Sequence, residues 1–140
     1  MDDVVFPIAS QINHDIDNAV NRSPEQVLDL ISLNELAGTK AVDCCDYITA
    51  QAYLDIALSL LPVNHWRDGY DQSLRLFFMS AKSAYACGAM EKAQELLHTI
   101  LRECHCTEDK MQAYFLLVTS KYQLSLFTFR SGNRFFKTET

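Results

Sequence analysis

The sequence predicts an all-α fold of about six helices arranged as stacked antiparallel pairs. Three observations carry this. Apolar residues recur at helical spacing in six successive segments. The 140 residues include only 4 Gly and 3 Pro, so the elements run long between breaks. No segment alternates with period two, and Asp68-Gly69, the one dipeptide with a hairpin look, sits inside a helical pattern.

The first helix is expected from Phe6 to Val20, with Pro7 in its first turn and Val5, Ile8, Ile12, Ile16 and Val20 along one side, ending at Asn21 and Arg22. Ser23-Pro24-Glu25-Gln26 then combines an N-cap serine, a first-turn proline and a capping-box glutamine. The second helix carries Val27, Leu30, Ile31, Asn34, Ala37, Gly38 and Ala41 on one face, with Leu28, Leu33 and Leu36 off that stripe, which points to burial on more than one side. Its later stripe residues are small and allow a close helix approach.

Asp46 is placed to cap the third helix, whose stripe is Tyr47, Ala50, Leu54, Ala57, Leu58 and Leu61 before Pro62 stops it. Asn64 or Asp68 caps a longer fourth helix bearing Tyr70, Leu74, Phe77, Phe78, Ala81, Ala84 and Tyr85, and Gly88 suits its left-handed C-terminal position. Met90, Ala93, Leu97, Ile100, Leu101 and Cys104 stripe the fifth. Thr107 caps the sixth, whose inward face is expected to be Met111, Tyr114, Phe115, Val118 and Tyr122. The apolar pattern defines residues 1–127 as the folded segment. Residues 128–140 are expected as a weakly ordered basic tail with Arg130, Arg134 and Lys137, broken by Ser131-Gly132-Asn133.

Composition bounds the function. The hydrophobic share is 49%, the charged share 21% and the net charge −6, which together describe an ordinary globular domain. No apolar run approaches the roughly 20 residues of a membrane span, and Met1-Asp2-Asp3 lacks the basic flank of a signal peptide. The acidic balance argues against a nucleic-acid or anionic-membrane surface. Five cysteines without an export signal read as reduced thiols of a cytoplasmic protein.

An internal repeat lies in the helix pairs. Tyr47-x-x-Ala50-x-x-x-Leu54-x-x-Ala57 aligns with Met90-x-x-Ala93-x-x-x-Leu97-x-x-Ile100, 43 residues further on. Small residues Gly38, Ala41, Ala50 and Ala57 in the first pair, and Ala81, Ala84 and Ala93 in the second, mark where paired helices cross. Ala50→Leu should overpack that crossing, whereas Gln51 is expected on the exposed side.

This layout resembles the tetratricopeptide repeat, with small residues at the crossing, a bulky one between and Pro62 closing the pair. Asn34 and Ala41 stand where that repeat usually has Trp and Tyr, and Ile100 and His105 where it has Ala and Pro. The resemblance implies a short α-solenoid, in which each pair buries its apolar face only by stacking on the next. A second resemblance is narrower. Leu61-Pro62, Trp66, Tyr70, Leu74 and Gly88, within Leu60 to Gly88, look like a segment of the helical repeat region of large signalling proteins. Those proteins carry a kinase-like module and an AAA-type ATPase before that region, and often GAF, histidine-kinase or guanylate-cyclase modules after it. The resemblance runs from about Phe6 to Tyr122. The other modules, the phosphate-binding loop and the kinase motifs are not in this sequence, so no catalytic residue is implied here.

The chemistry-bearing residues are few. Cys104-His105-Cys106 with His98 offers zinc-type ligands, but adjacent residues do not easily turn toward one ion, and Cys44-Cys45 has the same difficulty. Asp43, Asp46, Asp68 and Asp71 fall at helix ends, where carboxylates cap. Trp66 and Tyr70, one turn apart, either form an aromatic platform or pack the fourth helix start against the third. The expected function is therefore a non-catalytic scaffold or interaction segment with no cofactor and no metal. It would engage a protein partner or neighbouring domains through polar positions such as Asn34, Lys40, Lys82 and Lys121. The alternative is a small metal-binding protein or enzyme using Cys104, His105 and Cys106.

Overall fold

The computed structural model describes residues 4–14 and 22–137, with side chains described as far as Tyr122. Every regular element among them is a helix: α1 (Val5–His14), α2 (Pro24–Asp43), α3 (Tyr47–Leu60), α4 (His65–Asp68), α5 (Tyr70–Ala86), α6 (Met90–Glu103) and α7 (Thr107–Lys137). That is seven described helices rather than six, because the expected fourth helix is split. Asn64 opens only the single turn of α4, without a side-chain cap, and Gly69 separates it from α5. Ile16, Val20 and Asn21, expected to complete the first helix, lie outside the described residues. No helix among the described residues is long and apolar enough to cross a membrane.

The capping chemistry explains the starts. Ser23 Oγ accepts from Gln26 N–H at 3.3 Å while Gln26 Oε1 accepts from Ser23 N–H at 3.1 Å, which closes the expected capping box on α2. Asp46 caps α3 by accepting from the Thr49 N–H and hydroxyl. Pro62 follows the end of α3 at Leu60, with Leu61 as its C-cap. Thr107 is the first residue of α7 rather than a residue before it. The α7 backbone also continues through Ser131-Gly132-Asn133 to Lys137, where a break was expected. A lone glycine costs a helix only about 1 kcal/mol, which is too little to end one on its own.

Consecutive helices pack in order: α1 on α2, α2 on α3, α3 on α5, α5 on α6 and α6 on α7, with further contacts from α2 to α5 and from α5 to α7. Ile31, Ala41, Ala50, Leu54, Ala57 and Leu76 form one core between α2, α3 and α5. Phe78, Ala81, Leu97, Ile100, Cys104, Ala113 and Leu117 form another between α5, α6 and α7. Gly38, Ala41, Ala50, Ala57, Ala81, Ala84 and Ala93 are all buried. A Cβ on Gly38 would stand 2.8 Å from Leu54 Cγ and Cδ2, so glycine is required for that approach.

Three burial expectations reverse. Leu28 and Leu36 are each 47% exposed, so α2 is not buried on more than one side there, and only Leu33 of that trio packs inward. Asn34, expected on an interaction face, is fully buried. Its side chain exchanges two hydrogen bonds with Asn13, at 2.7 and 3.0 Å, and donates to Leu30 O at 2.9 Å. Gln51 is half-buried and donates to Ser80 O at 3.0 Å, so it ties α3 to α5 instead of facing water.

The largest reversal concerns α7. Met111, Tyr114, Phe115, Val118 and Tyr122 are 55–70% exposed, while Ala113, Leu117 and Ser120 are buried and Leu116 packs beside them. Both stripes satisfy helical periodicity. The one with smaller side chains lets α7 approach α6 and α5 closely, and it is the one that packs.

Candidate functional site

Of the residues of the narrower resemblance, Trp66, Tyr70 and Leu74 gather near the end of α6 and the start of α7, while Leu61 packs with the core of α2, α3 and α5 and Gly88 lies beyond the far end of α5. The Trp66 ring lies 5.0 Å from Phe77 and 6.0 Å from Tyr70, and His65 stacks on Phe77 at 5.9 Å. Trp66, Tyr70 and Leu74 all pack against the core of α5, α6 and α7. Trp66 and Tyr70 were expected either as an aromatic platform or packed between the fourth helix start and the third. Both lie instead against the core of α5, α6 and α7, and Tyr70 reaches the loop after α6.

Tyr70 is the centre of this clasp. Its hydroxyl donates to Asp109 Oδ2 at 3.0 Å and accepts from the His105 N–H at 3.2 Å, while its ring stacks on the His105 ring at 5.2 Å. Desolvation pushes the phenol up from its ordinary value, so it stays a donor. On the other side, Ser73 Oγ sits 2.8 Å from His65 Nδ1 and donates to His65 O at 3.1 Å. With that proton given to His65 O, the 2.8 Å contact is donated by the ring's Nδ1–H. Desolvation lowers its pKa, and nearby Glu103 partly opposes that.

This geometry scatters the Cys/His cluster. Cys104 is buried in the core, and desolvation raises its thiol pKa, which disfavours the thiolate a metal or a nucleophile needs. His105 is committed to Tyr70, whereas Cys106 and His98 are exposed. Cys44 and Cys45 are likewise exposed. Among the described residues no three His, Cys, Asp or Glu side chains are grouped so as to hold a metal ion. Of the carboxylates, Asp46 caps α3 and Asp68 pairs with neighbouring Arg67 at 3.3 Å.

Two polar ties join alternate helices. Arg75 Nε of α5 donates to Glu35 Oε1 of α2 at 2.9 Å, and Gln72 reaches the same carboxylate at 3.2 Å. Lys92 of α6 holds both oxygens of Asp55 on α3, at 2.6 and 2.7 Å. Such exposed pairs contribute little stability, but they align α2 with α5 and α3 with α6.

Of the remaining expected face residues, Lys40 is half-buried near the end of α2, and Lys82 and Lys121 are exposed on α5 and α7. Lys82 borders a cavity of about 70 Å³ with Ala81, Tyr85, Ala93 and Leu97. A groove of about 420 Å³ runs between the start of α2 and the α3–α4–α5 junction. Val27, Leu28, Leu61 and Pro62 give it apolar walls, and Arg22 and Asp68 line it with opposite charges.

Sequence reasoning missed the Tyr70–His105–Asp109 clasp and the open apolar face of α7. The first had no signal, because Tyr70 and Asp109 meet only through tertiary contact. The second had one: Ala113, Leu116, Leu117 and Ser120 form a competing stripe of smaller residues. No family model, no curated protein and no solved structure matches this chain.

Proposed function

We propose that the chain is a non-catalytic helical-repeat scaffold, a short solenoid of the tetratricopeptide kind within an ATPase- and kinase-containing intracellular signalling protein. The observation that carries this reading is the regular alternation of packing. α2 and α3 form one pair and α5 and α6 the next; α3 bridges the pairs, and α7 begins a third. Small residues occupy the same crossing positions in both complete pairs, Gly38 and Ala50 in one and Ala81 and Ala93 in the other. Repetition of one supersecondary unit through nearest-neighbour contacts is how solenoids are built, and their function is to present a rigid surface.

The mechanism on this reading is positional. The ties from Arg75 to Glu35 and from Lys92 to Asp55 hold successive pairs in register. The groove lined by Val27, Leu28, Leu61 and Pro62 then offers an apolar seat for a segment of a protein partner or a neighbouring domain. The narrower resemblance, carried by Leu61, Pro62, Trp66, Tyr70, Leu74 and Gly88, supplies the class of partner: the ATPase and kinase modules of such proteins.

The test is calorimetric titration of the purified chain with an AAA-type ATPase module and a histidine-kinase module from that class. Binding to either, weakened at least tenfold by Leu61→Asp with helicity retained, supports the reading. No binding to either module, or nucleotide hydrolysis by the chain alone, overturns it.

A further inference from the structure

The open face of α7 has a counterpart inside the molecule. On α5, Leu76, Met79 and Ser80 lie on the side toward α3, with buried Ser83 following them at helical spacing, and Leu74, Phe77, Phe78, Ala81 and Tyr85 lie on the side toward α6 and α7. The helices α5 and α7 superpose in sequence register. Ala113, Leu116, Leu117 and Ser120 take the places of the first set and pack on α6, while Met111, Tyr114, Phe115, Val118 and Tyr122 take those of the second. On α5 that second face is covered. On α7 it is 55–70% exposed, and the chain just beyond it prolongs the helix to Lys137 instead of folding back.

We propose that this face pairs with the same face of a second copy of the chain, with the two α7 helices antiparallel about a two-fold axis. Three arguments fix the occupant. The first is area. Five large side chains, each more than half exposed, offer about 600 Å², at the top of the range for a monomer's largest apolar patch. Two such faces together bury about 1,200 Å², which is where stable interfaces begin.

The second argument is symmetry. An isologous contact requires that if one residue meets another, the converse also holds. With the axis between Leu116 and Leu117, Met111 falls opposite Tyr122 of the second copy and Phe115 opposite its Val118. A larger residue meets a smaller one in both pairs, both relations are reciprocal, and Tyr114 falls opposite Thr119. The third is charge. The first turn of α7 carries Glu108 and Asp109, whereas Lys121 lies about four turns further along the same helix. In this register Glu108 falls opposite position 125 of the second copy, one turn from its Lys121, and parallel pairing would set like ends together.

This dimer does not depend on the scaffold role, since it is read by mass and not by binding to any module. Sedimentation equilibrium on the full chain over a micromolar concentration series is expected to give twice the chain mass. Phe115→Glu should weaken association at least tenfold with helix content retained, because the side chain is 70% exposed. Met111→Lys alone and Tyr122→Glu alone should each do the same, and the double variant should restore the dimer by placing Lys against Glu twice. A monomer at 100 µM wild-type chain (roughly the weak end of specific association) overturns the proposal. So does growth past the dimer, which would mean a head-to-tail contact with another face. A double variant that stays monomeric overturns the antiparallel register.

Discussion

The two complete helix pairs repeat the same positions 43 residues apart and solve them differently. At the crossing, the first pair has Gly38 against Leu54, with no room for a Cβ, where the second has Ala81 beside Leu97 and a cavity of about 70 Å³. In the connecting turn, Cys45 takes a left-handed φ of 58° where Gly88 takes 80°. The turn hydrogen bonds nevertheless match: Asp46 N–H to Ala41 O at 2.9 Å in one, Ala89 N–H to Ala84 O at 2.8 Å in the other. At the next helix start, Asp46 caps with its side chain and Ala89 does not. Buried polar groups differ as well. Asn34 is fully bonded, whereas Ser83 Oγ has no partner among the described residues. Backbone geometry is therefore conserved between the pairs while packing tightness, turn strain and capping are distributed unequally.

The crossing gives the largest expected contrast. Gly38→Val should cost about 3 kcal/mol, since already its Cβ would stand 2.8 Å from Leu54, whereas Ala81→Val should cost less than about 1 kcal/mol because the adjoining cavity accepts volume. Urea midpoints on the two variants measure this, and equal losses would mean the crossings are packed alike.

Next come the buried polar groups. Asn34→Leu strands the half-buried Asn13 amide and should cost about 2 kcal/mol, while Ser83→Ala removes a group that has no partner and should be neutral or slightly stabilising. A Ser83→Ala loss as large as that of Asn34→Leu would show that Ser83 is bonded in solution.

The turns follow. Gly88→Ala should cost about 1 kcal/mol for a left-handed alanine, and Cys45→Gly should gain about 0.5 kcal/mol by relieving the same strain. Thermal melts in reducing buffer decide the signs. Capping can then be moved between pairs: Ala89→Asp should raise stability by about 0.5–1 kcal/mol, and no gain would mean the α6 start frays without consequence.

The smallest effect separates the two regions by pH. His65 has a lowered pKa in the folded state, so the unfolded chain takes up the proton more readily. The stability this half-buried ring contributes when neutral is complete above its ordinary value of 6.5 and is lost as pH falls below it. Asp46 also has a lowered pKa, from its bonds to Thr49. Its contribution is present above the ordinary 3.8 and disappears only as pH falls through its folded value. Urea midpoints from pH 7.5 to 3 should therefore show a first decline below 6.5 that His65→Gln abolishes, and a later one that Asp46→Asn abolishes. A first decline that persists in His65→Gln would place it on another group.

The sequence by itself determined the all-helical class, the caps at Ser23 and Asp46, the stop at Pro62, the left-handed Gly88 and the small residues at both crossings. Each is a local consequence of hydrogen-bond capping, backbone freedom or side-chain volume, and needs no distant partner. Only the tertiary structure decided the rest. Asn34 became a core residue because Asn13 arrives from α1 to satisfy its amide. Tyr70 became a clasp because the α4 turn carries it to His105 and Asp109. Between the two apolar stripes of α7, periodicity made no choice. The fit of Ala113, Leu117 and Ser120 against the neighbouring helices did, because close helix approach rewards small volume and leaves the larger stripe outside.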